Sequence, residues 1–414
     1  MRILLIHQYF LEEDEPGGSR FNEFTKLWTE QGFEVTVIAG MVHAYASEKR
    51  DEYKGKFFVE KKQGLVNVVR CYVSSSYNKS FRGRLWGYFS FVLSGLVASL
   101  FTLRSQKFDL VISTSPPLFV GVIGYITSRV RRIPWIFEVR DLWPESAIDT
   151  GVLKNNTVIR LAYWVEKFIY KKASKIVVLT PSFKISLIAK KKVPGNKIIE
   201  IPNAADFSAV DILKSTFDRE AFLEKHSWKG RFIVTYVGAH GVANQLDQLL
   251  DAALLLKDAN VLFLLIGDGM EKKRLIERKE KESIENVLFL GPFPKPEIYK
   301  YILVADVGTS VLKNVETFKT VYSNKTFDYM ACEKPILMGI DGVSRELVEY
   351  SESGLFVKPE DPHSFAEKTK LLINQPRLKS QMGKNGYLFA KNNFDRRILS
   401  IKYLELMASL VNEV

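Results

Sequence analysis

Short apolar runs that end in turn residues recur along both halves of the chain. In the first half they read RILLIHQYF, EVTVIAG, FDLVISTSP, PWIFEVRD and KIVVLTP, and in the second half RFIVTYVGAHG, VLFLLIGDG and VLFLGPF. Stretches with a helical pattern, such as NQLDQLLDAALLLK, lie between them. Runs of this kind are typical of parallel strands that helices cover on both faces. We therefore predict an α/β fold with two doubly wound, Rossmann-like halves and a cleft between them.

The length and the cysteine content agree with this prediction. A chain of 414 residues is too long for one ordinary core and fits two domains. We place these domains at residues 1–205 and 206–385, followed by a helical segment at 386–414. The two cysteines, Cys71 and Cys332, lie far apart in the sequence. They form neither a disulfide framework nor a zinc spacing, which favours a reducing compartment.

The positive charge of the chain lies in its first half. Residues 1–205 contain 30 Lys and Arg against 18 Asp and Glu, whereas the remaining residues contain equal numbers of basic and acidic groups. Charge on one side of a protein indicates an anionic partner, either nucleic acid or a bilayer surface.

One uncharged segment, 85–103, indicates which of these two partners is expected. It reads LWGYFSFVLSGLVASLFTL and is flanked by Arg82, Arg84, Arg104 and Lys107. Its length is marginal for a membrane-spanning helix, but spanning would separate two parts of one domain. A helix buried in the core is a second possibility. The basic flanks favour a third, docking in the plane of an anionic inner-membrane surface, and we expect no nucleic-acid partner.

Two places in the first half have the composition of a binding site. Gly17 and Gly18 separate the first strand from a helix, so backbone amides could approach a phosphate there, although a plain strand–helix turn has the same sequence. Asp141 and Glu145 follow Arg140 at the end of the strand PWIFEVRD. Ligands bind at the carboxyl ends of parallel strands. The alternative for Asp141 is a helix N-cap.

The second half begins with a similar strand-to-helix turn. Gly238, His240, Gly241 and Asn244 lie in VGAHGVANQ, which predicts a site that accepts an anion, with a capped turn histidine as the alternative for His240. Metal binding is not expected, because the chain contains no Asp-x-Asp pair and its five histidines share no ligand spacing.

The stretch TVYSNKTFDYMACEKP, residues 320–335, combines a basic residue with a lone carboxylate. Lys325 and Asp328 lie at the start of a helical pattern that ends before Pro335. Taken alone, this stretch is either an ordinary helix start or part of a nucleotide-sugar site.

The order of the motifs along the chain is similar to that of a known family. The Gly-Gly loop is followed by RDLWPES, GAHGVANQLDQLLDAA, LIGDGMEK, VLFLGPFPKPEI, NKTFDYMACEKPIL and GLFVKPEDP. Together these motifs, which span nearly the whole chain, resemble the retaining glycosyltransferases of family 4, which have the GT-B fold. RDLWPES and GAHG are most similar to the subgroup that resembles N-acetylfucosaminyl transferases of capsule and O-antigen synthesis.

This resemblance implies that the second domain binds a nucleotide-sugar donor and that the first binds an acceptor. Lys325 matches the basic residue that faces the diphosphate, and Asp328 stands where the family has a Glu that binds the ribose hydroxyls. Thr320 occupies the position of a further family Glu, so the sugar is expected to be held differently, as suits a deoxygenated hexose. The other expected donor-binding residues are Gly17, Gly18, His240, Gly241, Asn244, Gly291, Phe293, Asn324 and Glu346.

The resemblance also implies the reaction. An N-acetylated, deoxy hexosyl group would pass with retention from a UDP-linked donor to an acceptor, without metal or cofactor. The basic first half and segment 85–103 fit an acceptor that is a polyprenyl-diphosphate-linked saccharide at the cytoplasmic face of the inner membrane. Lys325, backbone amides and helix N-termini would stabilise the leaving diphosphate. Asp141 and Glu145 would orient the acceptor hydroxyl or the sugar. Segment 386–414 would pack back onto the first domain.

Two other functions stay open at this point. A GT-B-like UDP-sugar 2-epimerase would need acidic and histidine groups around the sugar but no membrane helix, and the basic first half argues against it. A nucleic-acid-binding protein would interleave aromatic residues with Lys and Arg on one exposed face. In this chain the basic residues are scattered between core strands and flank an apolar segment.

Overall fold

The structure is a computed structural model that describes residues 1–15, 17, 20–42, 49–74, 81–149, 151 and 153–413. The chain divides into two compact units. The first unit comprises Met1–Pro202 and Leu399–Val414, and the second comprises Asn203–Ile398. The predicted second domain, 206–385, ends inside the helix Pro376–Asn393 of this unit.

The first unit is built on one sheet of eight strands in the order β3-β4-β2-β1-β5-β6-β7-β8. All neighbouring strands are parallel except β3, which pairs antiparallel with β4 at the edge. The strands are β1 (Arg2–Ile6), β2 (Glu34–Gly40), β3 (Phe58–Gln63), β4 (Val66–Cys71), β5 (Leu110–Ser115), β6 (Trp135–Val139), β7 (Lys175–Val178) and β8 (Ile198–Glu200).

Helices cover both faces of this sheet. The connection from β1 to β2 runs one way across the sheet, and the connections from β4 through β8 run the other way. Right-handed crossovers therefore place the helix after β1 on one face and those after β4, β5, β6 and β7 on the opposite face. The helices are α1 (Arg20–Glu30), α2 (Phe81–Val97), α3 (Val120–Arg131), α4 (Glu145–Asp149), α5 (Asn156–Lys172) and α6 (Pro181–Ala189).

The apolar segment 85–103 forms most of α2 and a π-helical turn, Ala98–Thr102, that continues it. One side of α2 is fixed to the unit, because Ser94 Oγ donates to Tyr72 O at 2.7 Å and Gly95 lies against Ile123 of α3. Residues Leu85–Thr102 are long and apolar enough to cross a membrane by length and composition, with 39% of that window buried.

The second unit contains a six-stranded, fully parallel sheet in the order β11-β10-β9-β12-β13-β14. Its strands are β9 (Phe232–Val237), β10 (Val261–Ile266), β11 (Val287–Leu290), β12 (Val307–Val311), β13 (Ile336–Gly339) and β14 (Gly354–Phe356). Buried apolar side chains form one cluster on each face. The helices are α7 (Phe207–Thr216), α8 (Arg219–Lys225), α9 (Asp247–Leu255), α10 (Lys272–Lys281), α11 (Lys295–Val304), α12 (Asn324–Ala331), α13 (Val343–Tyr350), α14 (Pro362–Asn374) and α15 (Pro376–Asn393).

Helix α15 ends at Asn393 and is followed by α16 (Arg396–Asn412), most of which belongs to the first unit. Tyr403 of α16 is fully buried, and its ring lies 5.4 Å from that of Trp28 and 5.7 Å from that of Phe24, both on α1. The two doubly wound parallel sheets confirm the predicted fold class.

Candidate active site

The carboxyl edge of the second sheet has its switch point between β9 and β12, where the strand order reverses direction. Loops at such a point diverge to opposite faces and leave room for a ligand. Here the loops after β9 and β10 are held together by glycines. Gly238 N–H donates to Ile266 O at 2.9 Å, and a Cβ on Gly267 would lie only 1.9 Å from Gly238 O. At Gly238 and Gly267 these loops therefore approach each other through their backbones, with no side chain between them.

Helix α12 begins beside this edge and is fixed there by Tyr329. The Tyr329 hydroxyl accepts from Val237 N and donates to Thr309 O, both at 3.0 Å, which joins the helix to β9 and β12. The ring packs where Gly308 has no side chain, because a Cβ there would lie 2.3 Å from Tyr329 Cγ. The first turn of α12 thus has a defined position relative to the end of β9.

Lys325 lies in that first turn and reaches the switch point. Its Nζ is 4.7 Å from the centroid of the Tyr236 ring, and its Cε would lie 3.0 Å from a Cβ placed on Gly238. Burial lowers the pKa of Lys325 from 10.5 to about 8, while the Asp328 carboxylate acts in the opposite direction. A partly buried ammonium at the N-terminal turn of a helix is suited to bind an anion.

Asp328 follows one turn later and contacts α11. Its Oδ1 accepts from Lys295 Nζ at 3.3 Å and from the Tyr299 hydroxyl at 3.4 Å. Sequence reasoning missed Lys295, Tyr299 and Tyr236, although Lys295 directly follows the loop that contains Gly291 and Phe293, two of the expected donor-binding residues.

His240 is turned into the protein. Its ring is fully buried, 5.8 Å from the ring of Phe289, and neither ring nitrogen has a hydrogen-bond partner among the described residues. Burial, with the charges of Lys272 and Lys325, lowers the pKa of His240 to about 4, so the imidazole is neutral at physiological pH. Its backbone N–H donates to Asp268 O at 2.8 Å, which joins the turn after β9 to the loop after β10.

The turn after His240 is short. Asn244 N–H donates to Gly241 O at 3.0 Å and closes a 3₁₀ turn, Val242–Asn244. On the loop after β11, Gly291 borders open space, and Phe293 stacks on Tyr301 with centroids 4.9 Å apart. The structure thus places Gly241 and Asn244 after β9, and Gly291 and Phe293 after β11.

The remaining predicted donor residues flank α12. Thr320 ends a 3₁₀ turn and donates its hydroxyl to Thr317 O at 2.6 Å, and the Asn324 side chain is hydrogen-bonded to Asn203. Glu346 is exposed in the first turn of α13. That turn is joined to the segment before α12, because Ser323 N–H donates to Ser344 Oγ at 3.1 Å.

In the first unit, Asp141 and Glu145 lie after β6 as predicted from the sequence. Asp141 accepts a hydrogen bond from Ser146 Oγ at 2.7 Å, and burial raises its pKa. Glu145 is paired with Lys191, with 2.5 Å between Oε1 and Nζ, and Lys191 also contacts Glu166 Oε2 at 2.7 Å. Burial raises the pKa of Glu166 to about 7, with Lys191 opposing and Glu145 adding to the shift.

The neighbouring strand end in this unit is also polar. Arg140 Nη1 donates to His7 Nε2 at 3.1 Å, and burial, together with Arg140 and Arg70, keeps the pKa of His7 well below its usual range. Gly17 is exposed with a φ of 143°, in the region that favours glycine. Gly18 lies outside the described residues. Among the residues that are described, no three His, Cys, Asp or Glu side chains are grouped as a metal site would require.

Two units of this kind, each built on a doubly wound sheet, form the GT-B fold. A crystal structure titled Anabaena Alr3699/HepE in complex with UDP shares this fold, with a TM-score of 0.71 at 18% identity over 99% of this chain and 100% of that one.

Matches of the sequence to two family models identify the kind of enzyme. Residues 17–204 match the family model described as a glycosyl transferase 4-like domain, and residues 218–389 match that of glycosyl transferases group 1. The chain is therefore a glycosyltransferase composed of these two domains.

Two known glycosyltransferases are similar to this chain in sequence. The probable glycosyltransferase WbjE of Pseudomonas aeruginosa is 24% identical over 64% of this chain and 66% of its own length. The capsular polysaccharide biosynthesis glycosyltransferase CapM of Staphylococcus aureus is 24% identical over 74% of this chain and 78% of its own length.

Proposed function

We propose that this glycosyltransferase moves a hexosyl group from a UDP-linked donor to a polyprenyl-diphosphate-linked saccharide during the synthesis of a bacterial surface polysaccharide. The observation that carries the proposal is the partly buried ammonium of Lys325 at the switch point of the second sheet. The UDP complex of the HepE structure and the capsule role in the name of CapM support the choice of donor and pathway class.

The chemistry needs a cation at this position. Breaking the bond between the anomeric carbon and the diphosphate oxygen leaves negative charge on the diphosphate as it departs. A fixed ammonium beside backbone amides stabilises that charge more in the transition state than in the ground state. On this proposal the leaving phosphate accepts the proton of the acceptor hydroxyl on the same face of the sugar, which retains the anomeric configuration.

Asp328 would bind the ribose of the donor. It lies three residues after Lys325, about 4.5 Å further along the helix axis, and a carboxylate is a suitable acceptor for two neighbouring hydroxyls. A threonine at position 320 in place of a carboxylate suits a sugar with fewer hydroxyls, so we infer an N-acetylated deoxy hexose, as in the N-acetylfucosaminyl-like subgroup.

The acceptor would bind at the first unit. Asp141 and Glu145 both follow the carboxyl end of β6, where a ligand of a parallel sheet is expected. Their carboxylates would orient the acceptor hydroxyl, and the pairing of Glu145 with Lys191 would keep its carboxylate in place.

The enzyme would lie on the inner face of the membrane through an apolar surface around α2. Exposed side chains follow one another at intervals of three or four residues along α2 and its π-helical turn, as one stripe of a helix does. The stripe consists of Trp86, Phe89, Leu93, Val97 and Phe101. Trp164 of α5 and Ile185 of α6 are also exposed, on helices of the same sheet face. Because the inner side of α2 is fixed to the unit, docking in the membrane plane suits it better than spanning.

Vesicle sedimentation tests the membrane surface. The protein should co-sediment with anionic vesicles at low salt and less so at high salt, since apolar contact and basic residues act together. Leu93→Asp should reduce binding by at least about tenfold, because it puts a charge into the centre of the stripe. Leu388→Asp, at an exposed site in the second unit, is the matched control. Equal binding of Leu93→Asp and the parent protein would exclude this surface.

Turnover with a panel of nucleotide sugars tests the donor role. Lys325→Ala should lower kcat by about 100-fold or more at saturating donor, the size of effect seen when one transition-state charge contact is removed. Lys273→Ala, which changes a lysine side chain 90% exposed on α10, should leave kcat unchanged. Near-parental kcat in Lys325→Ala would exclude the proposed role.

A further inference from the structure

Two side chains of one helix meet at the oxygen Oδ1 of Asp328. Lys295 begins α11 and Tyr299 lies one turn later on the same helix, and both direct their polar atoms at Oδ1, from 3.3 and 3.4 Å. The Lys295 ammonium also lies 5.8 Å from the centroid of the Tyr299 ring. The carboxylate of α12 is therefore held from α11.

Asp328, Lys295 and Tyr299 are all at least partly shielded from water. The side chains of Asp328 and Lys295 are 18% and 24% exposed, and Tyr299 is buried. A charge-assisted hydrogen bond is stronger in such a place than at the surface. The contact therefore orients the carboxylate rather than decorating the surface.

We infer that Lys295 is a positioning residue that aims the carboxylate of Asp328 at the ribose hydroxyls of the donor. This inference rests on the proposed function, in which Asp328 is the ribose acceptor. The two contacts at Oδ1 set the rotation of the carboxylate about its Cβ–Cγ bond and so direct the other oxygen, Oδ2. A carboxylate that is already oriented loses less conformational freedom when the nucleotide binds.

The aspartate itself makes such a partner useful. An aspartate has one methylene fewer than a glutamate, so it reaches less far and has fewer rotamers with which to adapt to a ligand. The contact with Lys295 fixes the orientation of the shorter Asp328 side chain. The lysine also neutralises a partly buried carboxylate that would otherwise lose hydration without compensation.

The test compares two ligands in each protein. Dissociation constants are measured for UDP and for its 2′,3′-dideoxy analogue, and the ratio of the two reports the ribose contact alone. In the parent protein, the analogue should bind about tenfold or more weakly. In Lys295→Met, UDP should weaken by about tenfold while the analogue changes less than about twofold, so the ratio should collapse. Lys295→Arg should largely restore the ratio, because it keeps a cation near Oδ1.

The ratio also separates this role from a loss of structure, since a reduced folded fraction lowers the amount of both complexes equally. Lys300→Met is the matched control, because Lys300 lies on the same helix and pairs with Glu297 at 2.6 Å. An unchanged ratio in Lys295→Met, or a ratio near one in the parent protein, would overturn the inference. If the parent protein did not bind UDP, the proposed function itself would be wrong.

Discussion

At the scale of single residues, the second unit places the ammonium of Lys325 over an aromatic ring at the end of a strand. The ring of Tyr236 and the surrounding backbone replace water around this charge, which is why its pKa falls to about 8. A diphosphate that binds there restores the preference for the charged form. Binding and protonation of this lysine are therefore linked.

This linkage predicts the pH dependence of UDP binding. Below pH 8 most Lys325 side chains are charged before UDP arrives, whereas above pH 8 a proton must be taken up on binding. Each pH unit above about 8 should weaken UDP by up to about tenfold. The phosphates of UDP are fully ionised in this range, since their last pKa is about 6. Calorimetry from pH 7 to 9.5 measures the effect.

Lys325→Met is the control for this prediction. The variant should bind UDP weakly at every pH, with an affinity that stays flat between pH 7 and 9.5. A parent protein whose affinity does not change across that range would contradict the link between Lys325 and the diphosphate.

The sequence predicted Lys325 and Asp328 but not the groups around them. Both residues belong to a short motif that is legible without the fold. Tyr236, by contrast, lies far from Lys325 in the sequence and reaches it only because β9 and α12 meet at the switch point. The alternation of apolar and polar residues does not encode that kind of contact.

At the scale of elements, one lysine joins three helical segments of the first unit. Lys191, just after α6, contacts Glu145 of α4 and Glu166 of α5. One ammonium cannot fully offset two carboxylates, so the more deeply buried one, Glu166, takes the raised pKa. The helix carrying Glu145 is thus held by a cluster whose charge changes near neutral pH.

This cluster predicts a change of stability with pH. The pKa of Glu166 is about 7 in the folded protein against an ordinary value of 4.5, so folding takes up a proton between these values. Its contribution to stability is therefore present at low pH and decreases as pH rises towards 7. The melting temperature of Glu166→Gln minus that of the parent should rise between pH 5 and 7.5. The exposed control Glu277→Gln should show a constant difference.

The elements themselves were mostly predictable. Buried parallel strands are nearly continuous apolar runs, so β1, β2, β5, β6, β7, β9, β10 and β11 were all recognised in the sequence. The hairpin of β3 and β4 was missed, because β3 (FVEKKQ) lies at the sheet edge and has few apolar residues. At this edge β3 has one neighbour and carries three charged side chains, as exposed edge strands often do.

At the scale of the whole molecule, the first unit is formed from both ends of the described chain. Tyr403 of α16 packs among Phe21, Phe24 and Trp28 of α1, with ring centroids 5.4 to 6.2 Å apart. The family resemblance alone predicted that the last helix packs on the first unit. The sequence did not predict the residue at which the chain leaves the second unit, because both α15 and α16 have helical sequences.

Removing this aromatic contact should weaken the first unit selectively. Tyr403→Ala should cost about 3–4 kcal/mol, as does truncation of other large buried aromatic side chains. Hydrogen exchange should show faster exchange in α1 and β1, with little change in β9 and β12. Ile401→Ala, at an exposed position of the same helix, should change neither. Equal loss of protection in both units would contradict the assignment of α16 to the first.

The packing of α16 on the first unit also means that this unit is completed late during synthesis. The residues that complete the first unit, 399–414, follow the whole of the second unit in the chain. At about 5–20 residues per second, the ribosome needs about 10–40 s to make the intervening residues 203–398. During that time the aromatic side chains of α1 lack their contact with Tyr403. A chain truncated within the second unit never gains this contact, and apolar surface that stays exposed in this way favours aggregation.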